Sequence, residues 1–173
     1  MSDLKDIVRE LLLKLDIDPS KDGLSQTPER VAESLRTLLG GYKLTASDVV
    51  QSSIFVEKSA GTVMQKNNEF YSLCEHHMLP FFGHIHVAYQ PNQKIIGLSE
   101  IQKVIDVFAR RLQLQERLTE QIADALFQTL QPHGVAVTVE AKHLCMLMRR
   151  VGNQNGLTIT KTFRGNLGPD FGW

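Results

Sequence analysis

Cysteine and histidine, the residue types best suited to hold a soft or borderline metal ion, come together at two places in this chain. In Cys74-Glu75-His76-His77 a thiol precedes a pair of imidazoles, and in His143-Leu144-Cys145 the only other cysteine follows one. A Cys-x-x-His spacing lets two ligands meet on one turn. A third from Cys145 would make a three-ligand zinc centre with one position open for water. An open position marks a catalytic zinc, because structural sites are usually closed by four protein ligands. The competing readings are a disulfide and two unrelated buried thiols. Nothing suggests export, which weighs against a disulfide, and buried thiols alone leave the flanking histidines unexplained.

The chain that has to position these groups is 173 residues long, enough for one domain with an N-terminal appendage and a sizeable core. Lysine plus arginine equal aspartate plus glutamate at 19 each. No global charge, and no basic run interleaved with aromatics, points to nucleic acid or an anionic membrane. The start, Met1-Ser2-Asp3-Leu4-Lys5, lacks the basic-then-apolar layout of a signal peptide. No apolar run approaches the ~18 residues needed to cross a bilayer. The reducing cytoplasm is the expected compartment.

Leu4, Ile7, Val8, Leu11 and Leu12 recur at helical spacing behind Ser2 or Asp3 as a cap. Asp18-Pro19-Ser20-Lys21-Asp22-Gly23 is a turn. Thr27-Pro28-Glu29-Arg30 then opens a second helix, with Thr27 as cap and Val31, Leu35, Leu38 and Leu39 as its apolar stripe, ended by Gly40-Gly41. Residues 1–48 read as a helical hairpin. From about Gln51 to Phe81 the pattern becomes strand-like, with a turn at Ala60-Gly61. In the next segment Ile85, Val87 and Tyr89 alternate with His84, His86 and Ala88. His84 and His86 are therefore expected on a strand surface or an interface, not as ligands.

Ser99 and Gln102 suggest a capping box for a helix whose inner face carries Ile101, Val104, Ile105, Phe108 and Leu112. A further helix is expected from about Gln115 to Leu130, with Leu118, Ile122, Ala125 and Leu126 inward and Pro132-His133-Gly134 as its stop. Val135, Val137, Val139 and Ala141 then alternate as a strand. If that strand continues, His143, Cys145 and Arg149 share the valines' side. A last strand is expected over Leu157–Phe163, before a glycine-rich tail ending in Trp173. Strands, two long helices and more strands make an α+β domain with a largely antiparallel sheet.

At this point the residues resemble the GTP cyclohydrolase I family. The matching segments are Ser72–Phe81, Gly97-Leu98-Ser99, Ala109–Thr119, His143-Leu144-Cys145-Met146 and Arg149, and the likeness runs from Thr27 to about Thr162. Several long matches in order are far more specific than one short motif. The resemblance implies a tunnelling fold over residues 49–173, in which an antiparallel sheet carries two antiparallel helices on one face. It also implies a homo-oligomer, typically a decamer of two stacked pentamers, with active sites where subunits meet. The implied reaction opens the imidazole ring of GTP at C8, releases formate and recloses the product as 7,8-dihydroneopterin triphosphate.

By the same resemblance Cys74, His77 and Cys145 hold Zn²⁺, and His76 and His143 transfer protons. Gln115 and Glu116 look like readers of guanine, a carboxylate being able to accept from N1–H and the 2-amino group together. Ser99 resembles the serine implicated in the sugar rearrangement. Arg30, Lys103 and Arg149 are the candidates for the triphosphate. Outside the match, each of these has an ordinary account as a helix start, a cap or a solvated charge.

The chain departs from the family's pattern at the phosphate end. Glu100 stands where a lysine is usual, Arg150 where glycine is usual, Gly156-Leu157 where Ser-Lys is common, and Arg164 where an apolar residue is usual. A carboxylate in place of an ammonium near a phosphate reverses an interaction of roughly 1–4 kcal/mol at about 4 Å. Either Arg150, Lys161 or Arg164 supplies the missing charge, or the pocket takes a purine nucleotide with fewer phosphates. A non-catalytic zinc-bound ring subunit is the alternative from outside the enzymes.

Overall fold

Residues 3–50, 53–58, 61–149 and 155–172 are described by the structure, a computed structural model. Ser2 as a cap, Gln51, Ala60 of the expected turn, Arg150 and Trp173 lie outside the described residues. The chain divides into two compact units, Met1–Leu39 and Gly40–Trp173. Residues 40–48, expected with the hairpin, group with the second unit.

In the first unit, α1 (Leu4–Lys14) packs on α2 (Thr27–Leu38), and Val8, Pro28 and Ala32 are buried. The remaining apolar positions are only partly covered: Ile7 and Leu11 stay about half exposed. Thr27 is the first helical residue, not the cap; Gln26 takes that position, and Pro28 lies in the first turn, where a missing N–H costs nothing. Asp3 makes no side-chain cap bond and pairs with Arg36 at 3.0 Å.

The second unit opens with a 3₁₀ turn at Gly40–Lys43 and a short helix α3 (Ala46–Val50) that the sequence patterns did not suggest. Gly41 donates its N–H to the Arg110 carbonyl, and a Cβ there would stand 2.3 Å from the Val107 oxygen, so only glycine allows this approach. The strands are β1 (Ile54–Val56), β2 (Val63–Cys74), β3 (Pro80–Gln90), β4 (Lys94–Ile96), β5 (Leu112–Gln113), β6 (Gly134–His143) and β7 (Thr158–Gly165). Among the described residues β1 and β4 form a small antiparallel pair, and the main sheet runs β5-β2-β3-β6-β7. All its pairings are antiparallel except that of β2 with β5.

The helices α4 (Leu98–Ala109) and α5 (Gln115–Leu130) cover this sheet, α4 over β2 and α5 over β6 and β7. Their inner residues Ile101, Val104, Ile105, Leu118, Ile122 and Leu126 meet Phe70, Phe81, Ile85, Val87, Val137 and Val139 in one core. Each such side chain contributes about 1.5–3 kcal/mol by leaving water. The expected Ser99–Gln102 capping box does not form. The helix starts two residues earlier, at Leu98 with Gly97 as cap, so Ser99 is already inside it. The Gln102 amide instead donates to the Glu69 carbonyl at 3.0 Å.

The strand carrying the second cysteine ends sooner than expected. β6 stops at His143, and Leu144–Leu147 turn into a short helix, α6. Cys145 and Arg149 are therefore not placed by a period of two.

Candidate metal centre and active site

The loop between β2 and β3 is a tight turn built from the residues that carry the chemistry. The Cys74 carbonyl accepts from the N–H groups of His77 (3.3 Å) and Met78 (2.8 Å), while Cys74 N–H donates to Leu79 O at 2.9 Å. Met78 closes the turn in the left-handed region, φ 53°. This closure folds His77 back toward Cys74. From the other side, β3 and β6 run in register, Phe81 opposite His143, so the end of β6 delivers α6 and Cys145 to the same place.

The result is a triad. One ligand atom from each of Cys74, His77 and Cys145 lies within 4.8 Å of the other two. A tetrahedral zinc ion with bonds near 2.0–2.3 Å separates its ligand atoms by roughly 3.3–3.8 Å, so the residues fit a metal ion of this type. Both cysteines are free and buried. Burial pushes the Cys145 thiol up, and the neighbouring Cys74 adds to the effect. Two thiols this close resist ionising together unless a cation joins them.

Around the triad stand the candidate proton carriers. His76 is exposed, with Nδ1 3.9 Å from the Cys74 sulfur. His143 is half-buried and stacks flat on Phe81, ring centroids 4.8 Å apart and planes within 2°. Burial lowers the His143 pKa below the usual imidazole value, with nearby Glu116 acting in the opposite sense. Its Nε2 lies 2.8 Å from the Gln115 amide oxygen. Arg149 is exposed and its guanidinium meets His77 Nε2.

The start of α5 is tied to the same loop. Glu75 N–H donates to Gln113 O at 3.0 Å, and Cys74 pairs with Gln113 in the parallel β2–β5 ladder. Arg117 grips the Glu75 carboxylate with both nitrogens, at 2.6 and 3.2 Å. That contact, working against burial, holds the Glu75 carboxyl below its usual range. Glu116, between Gln115 and Arg117, is exposed and close enough to His143 to act on it electrostatically.

Other expected site residues are placed elsewhere. Gln115 is buried and its side-chain nitrogen is occupied by Val139 O, Thr158 O and Thr160 Oγ1. Ser99 and Lys103 sit in the first turns of α4, whose far end adjoins the Cys74 loop through Leu112 and Leu73. Along the helix axis Ser99 lies about 15 Å from that end and Lys103 about 9 Å. Lys103 is bonded to Glu100 at 2.8 Å. Arg30 belongs to the helical first unit. Arg164 does not supply the charge missing at the phosphate end: it is engaged by Asp124 at 2.7 Å and by Glu120. Lys161 is exposed on β7 opposite Thr138.

Three participants escaped the sequence reading: Phe81, Thr119 and Thr160. Thr119 had a signal, since a hydroxyl falls beside Leu118 on the apolar face of α5. Phe81 and Thr160 had none, because only strand pairing brings them to His143 and Gln115.

An antiparallel sheet covered on one face by two helices, with a Cys/His/Cys metal triad at its end, defines a tunnelling-fold protein with a metal-fitting site. The structure of the apo archaeosine synthase QueF-Like shares this fold, at a TM-score of 0.52 and 20% identity over 64% of this chain and 100% of that one. The sequence profile of GTP cyclohydrolase I matches residues 4–171. GTP cyclohydrolase 1 of Leptospira biflexa serovar Patoc is 49% identical over 96% of this chain and 91% of its own length. The Chlorobaculum tepidum GTP cyclohydrolase 1 is 50% identical over 96% of this chain and 75% of its own. The chain belongs to the GTP cyclohydrolase I family.

Proposed function

We propose that this protein hydrolyses GTP at C8 of the purine, releases formate and yields 7,8-dihydroneopterin triphosphate. The observation that carries the reading is the convergence of the Cys74, His77 and Cys145 ligand atoms within 4.8 Å beside a restrained His143. Zn²⁺ is the ion we assign to the triad. When bound it would supply Lewis acidity, making water acidic enough to attack near neutral pH.

The chain's own residues then have distinct tasks. Glu116 accepts from guanine N1–H and the 2-amino group, a pair that adenine lacks. His143 and His76 move protons at the ring nitrogen and during formate release, a contribution of roughly 10²–10⁴ in rate. Arg149 meets the phosphate chain as a guanidinium beside the metal triad. Ser99 acts in the sugar rearrangement, with Lys103 and Arg30 as further phosphate contacts. The position of Ser99 at the end of α4 remote from the triad loop supports a homo-oligomer whose sites combine residues of adjoining subunits, in a decamer. Among the described residues no helix is long and apolar enough to cross a membrane; with two free thiols, the cytoplasm is the compartment we assign.

Incubation of the zinc-loaded protein with GTP, followed by oxidation, should give pterin fluorescence and one formate per GTP consumed. A second reading, a purine nucleotide with fewer phosphates, is favoured by one observation: Glu100 occupies Lys103, and Arg164 is committed to two carboxylates. Formate from GDP, GMP or guanosine but none from GTP would establish that reading. Bound metal without turnover of any of them would mean a non-catalytic subunit.

A further inference from the structure

The hydrogen bonds around Gln115 admit one consistent set of directions. Its side-chain nitrogen lies 3.1 Å from the Val139 carbonyl oxygen and 3.0 Å from that of Thr158. Carbonyl oxygens only accept, so the amide nitrogen must occupy that side and the amide oxygen the other. The opposite orientation would set an oxygen against two oxygens in a site only 2% exposed, where no water could intervene.

The two threonines complete the set. Thr119 Oγ1 donates to the Gln115 main-chain oxygen at 2.7 Å. Its single proton is then used, so at the 2.6 Å contact between the hydroxyls Thr160 must donate to Thr119. Thr160 Oγ1 is left to accept from the Gln115 nitrogen at 3.1 Å, sharing one of the amide's two N–H groups with a carbonyl, which again requires nitrogen on that side. Thr119 and Thr160 thus select the same orientation of the amide as the two carbonyls do.

One consequence reaches the site. The amide oxygen faces His143 Nε2 at 2.8 Å and cannot donate. The proton of that contact belongs to the histidine. We propose that Gln115 is a positioning residue that holds His143 as the Nε2–H tautomer in the plane set by Phe81, so that Nδ1 carries the lone pair used to accept a proton. This assigns the Gln115 side chain to His143 and leaves base recognition to Glu116. The catalytic consequence rests on the role given to His143 above; the tautomer itself does not.

The test is solid-state NMR of the full-length, zinc-loaded protein carrying ¹⁵N-labelled histidine, the His143 signals identified by their loss in His143→Asn. Wild-type protein should show a protonated Nε2 and a bare Nδ1; a protonated Nδ1 with bare Nε2 overturns the proposal whether or not the protein turns over GTP. In Gln115→Met, which keeps the volume and removes the amide, the Nε2–H preference should be lost, and an unchanged tautomer would overturn it. Kinetics separate positioning from base reading: kcat should fall about tenfold to a hundredfold with KM within twofold. A raised KM at unchanged kcat would return Gln115 to the guanine edge. If wild-type protein releases no formate from GTP, the functional reading fails and the NMR result still decides the tautomer.

Discussion

Lys103 reaches toward solvent from the first turns of α4, yet its ammonium is held 2.8 Å from the Glu100 carboxylate. That contact keeps the Glu100 carboxyl below its usual range against the opposing effect of burial. A triphosphate arriving at this helix end would meet a neutralised pair and no free cation from either residue. Glu100→Lys should therefore lower the KM for GTP by about tenfold; an unchanged KM would show that the phosphates lie elsewhere. Cys145→Ser should lose both metal and activity, whereas His143→Ala should keep stoichiometric metal and lose 10²-fold or more in formate release, roughly the contribution of one proton carrier. Elemental analysis beside the formate assay reads both. The triad was legible in the sequence because Cys74 and His77 share one turn and no other cysteine than Cys145 was available. The duty of Gln115 was not, because its partners lie 24, 28, 43 and 45 residues away and are set by sheet register alone.

Among the elements, α5 matched the expectation from Gln115 to Leu130, because an apolar stripe, a first-turn acid and Pro132 all agreed. The end of β6 did not. Alternation in Val135–Ala141 is a property of the strand and cannot announce the residue at which pairing stops. Strand closeness makes a prediction of its own. A Cβ on Gly83 would stand 1.9 Å from the Glu140 carbonyl oxygen, so Gly83→Ala should destabilise by on the order of 3 kcal/mol through forced separation of β3 and β6. Thermal melts would read it.

The Arg164 clamp binds β7 to α5 through Asp124 and Glu120. Its hydrogen bond to Glu120, outweighing burial, depresses that carboxyl. A group whose folded pKa is depressed stabilises above its unfolded value, about 4.3, and ceases to do so as pH falls through the folded one. Arg164→Met should flatten the acid limb of stability below about pH 4.5 and cost roughly 1 kcal/mol at neutrality, since both carboxylates are about half exposed and solvent screens them. That corresponds to about 2–4 °C in Tm.

At the scale of the molecule, the main sheet has an edge at β5 and another at β7. Leu157 and Ile159 stand half exposed along the second. Open edges with apolar flanks invite a second copy of the chain. Sedimentation should give a decameric mass, not the 19.5 kDa of one chain, and Ile159→Glu should shift it downward. If sites are shared, co-assembled His143→Ala and Lys103→Ala chains should regain activity that neither has alone, because some sites then receive both intact residues. Separate sites would regain none.

The two-residue strand β5 has a consequence for how this chain can change. Through it the backbone that ends in the triad loop and the backbone that begins α5 share a single ladder, Leu73 with Leu112 and Cys74 with Gln113. One extra or missing residue between Arg110 and Leu114 would either break that ladder or rotate Glu116 by about 100° around the helix, while leaving Cys74, His77 and Cys145 able to grip their ion. The segment is short, but Gln113 within it is buried, and Arg110, Arg111 and Leu112 bond to Gly41, Leu44 and Tyr42. Here length itself is under constraint, and an indel of one should yield a folded, metal-loaded protein blind to guanine.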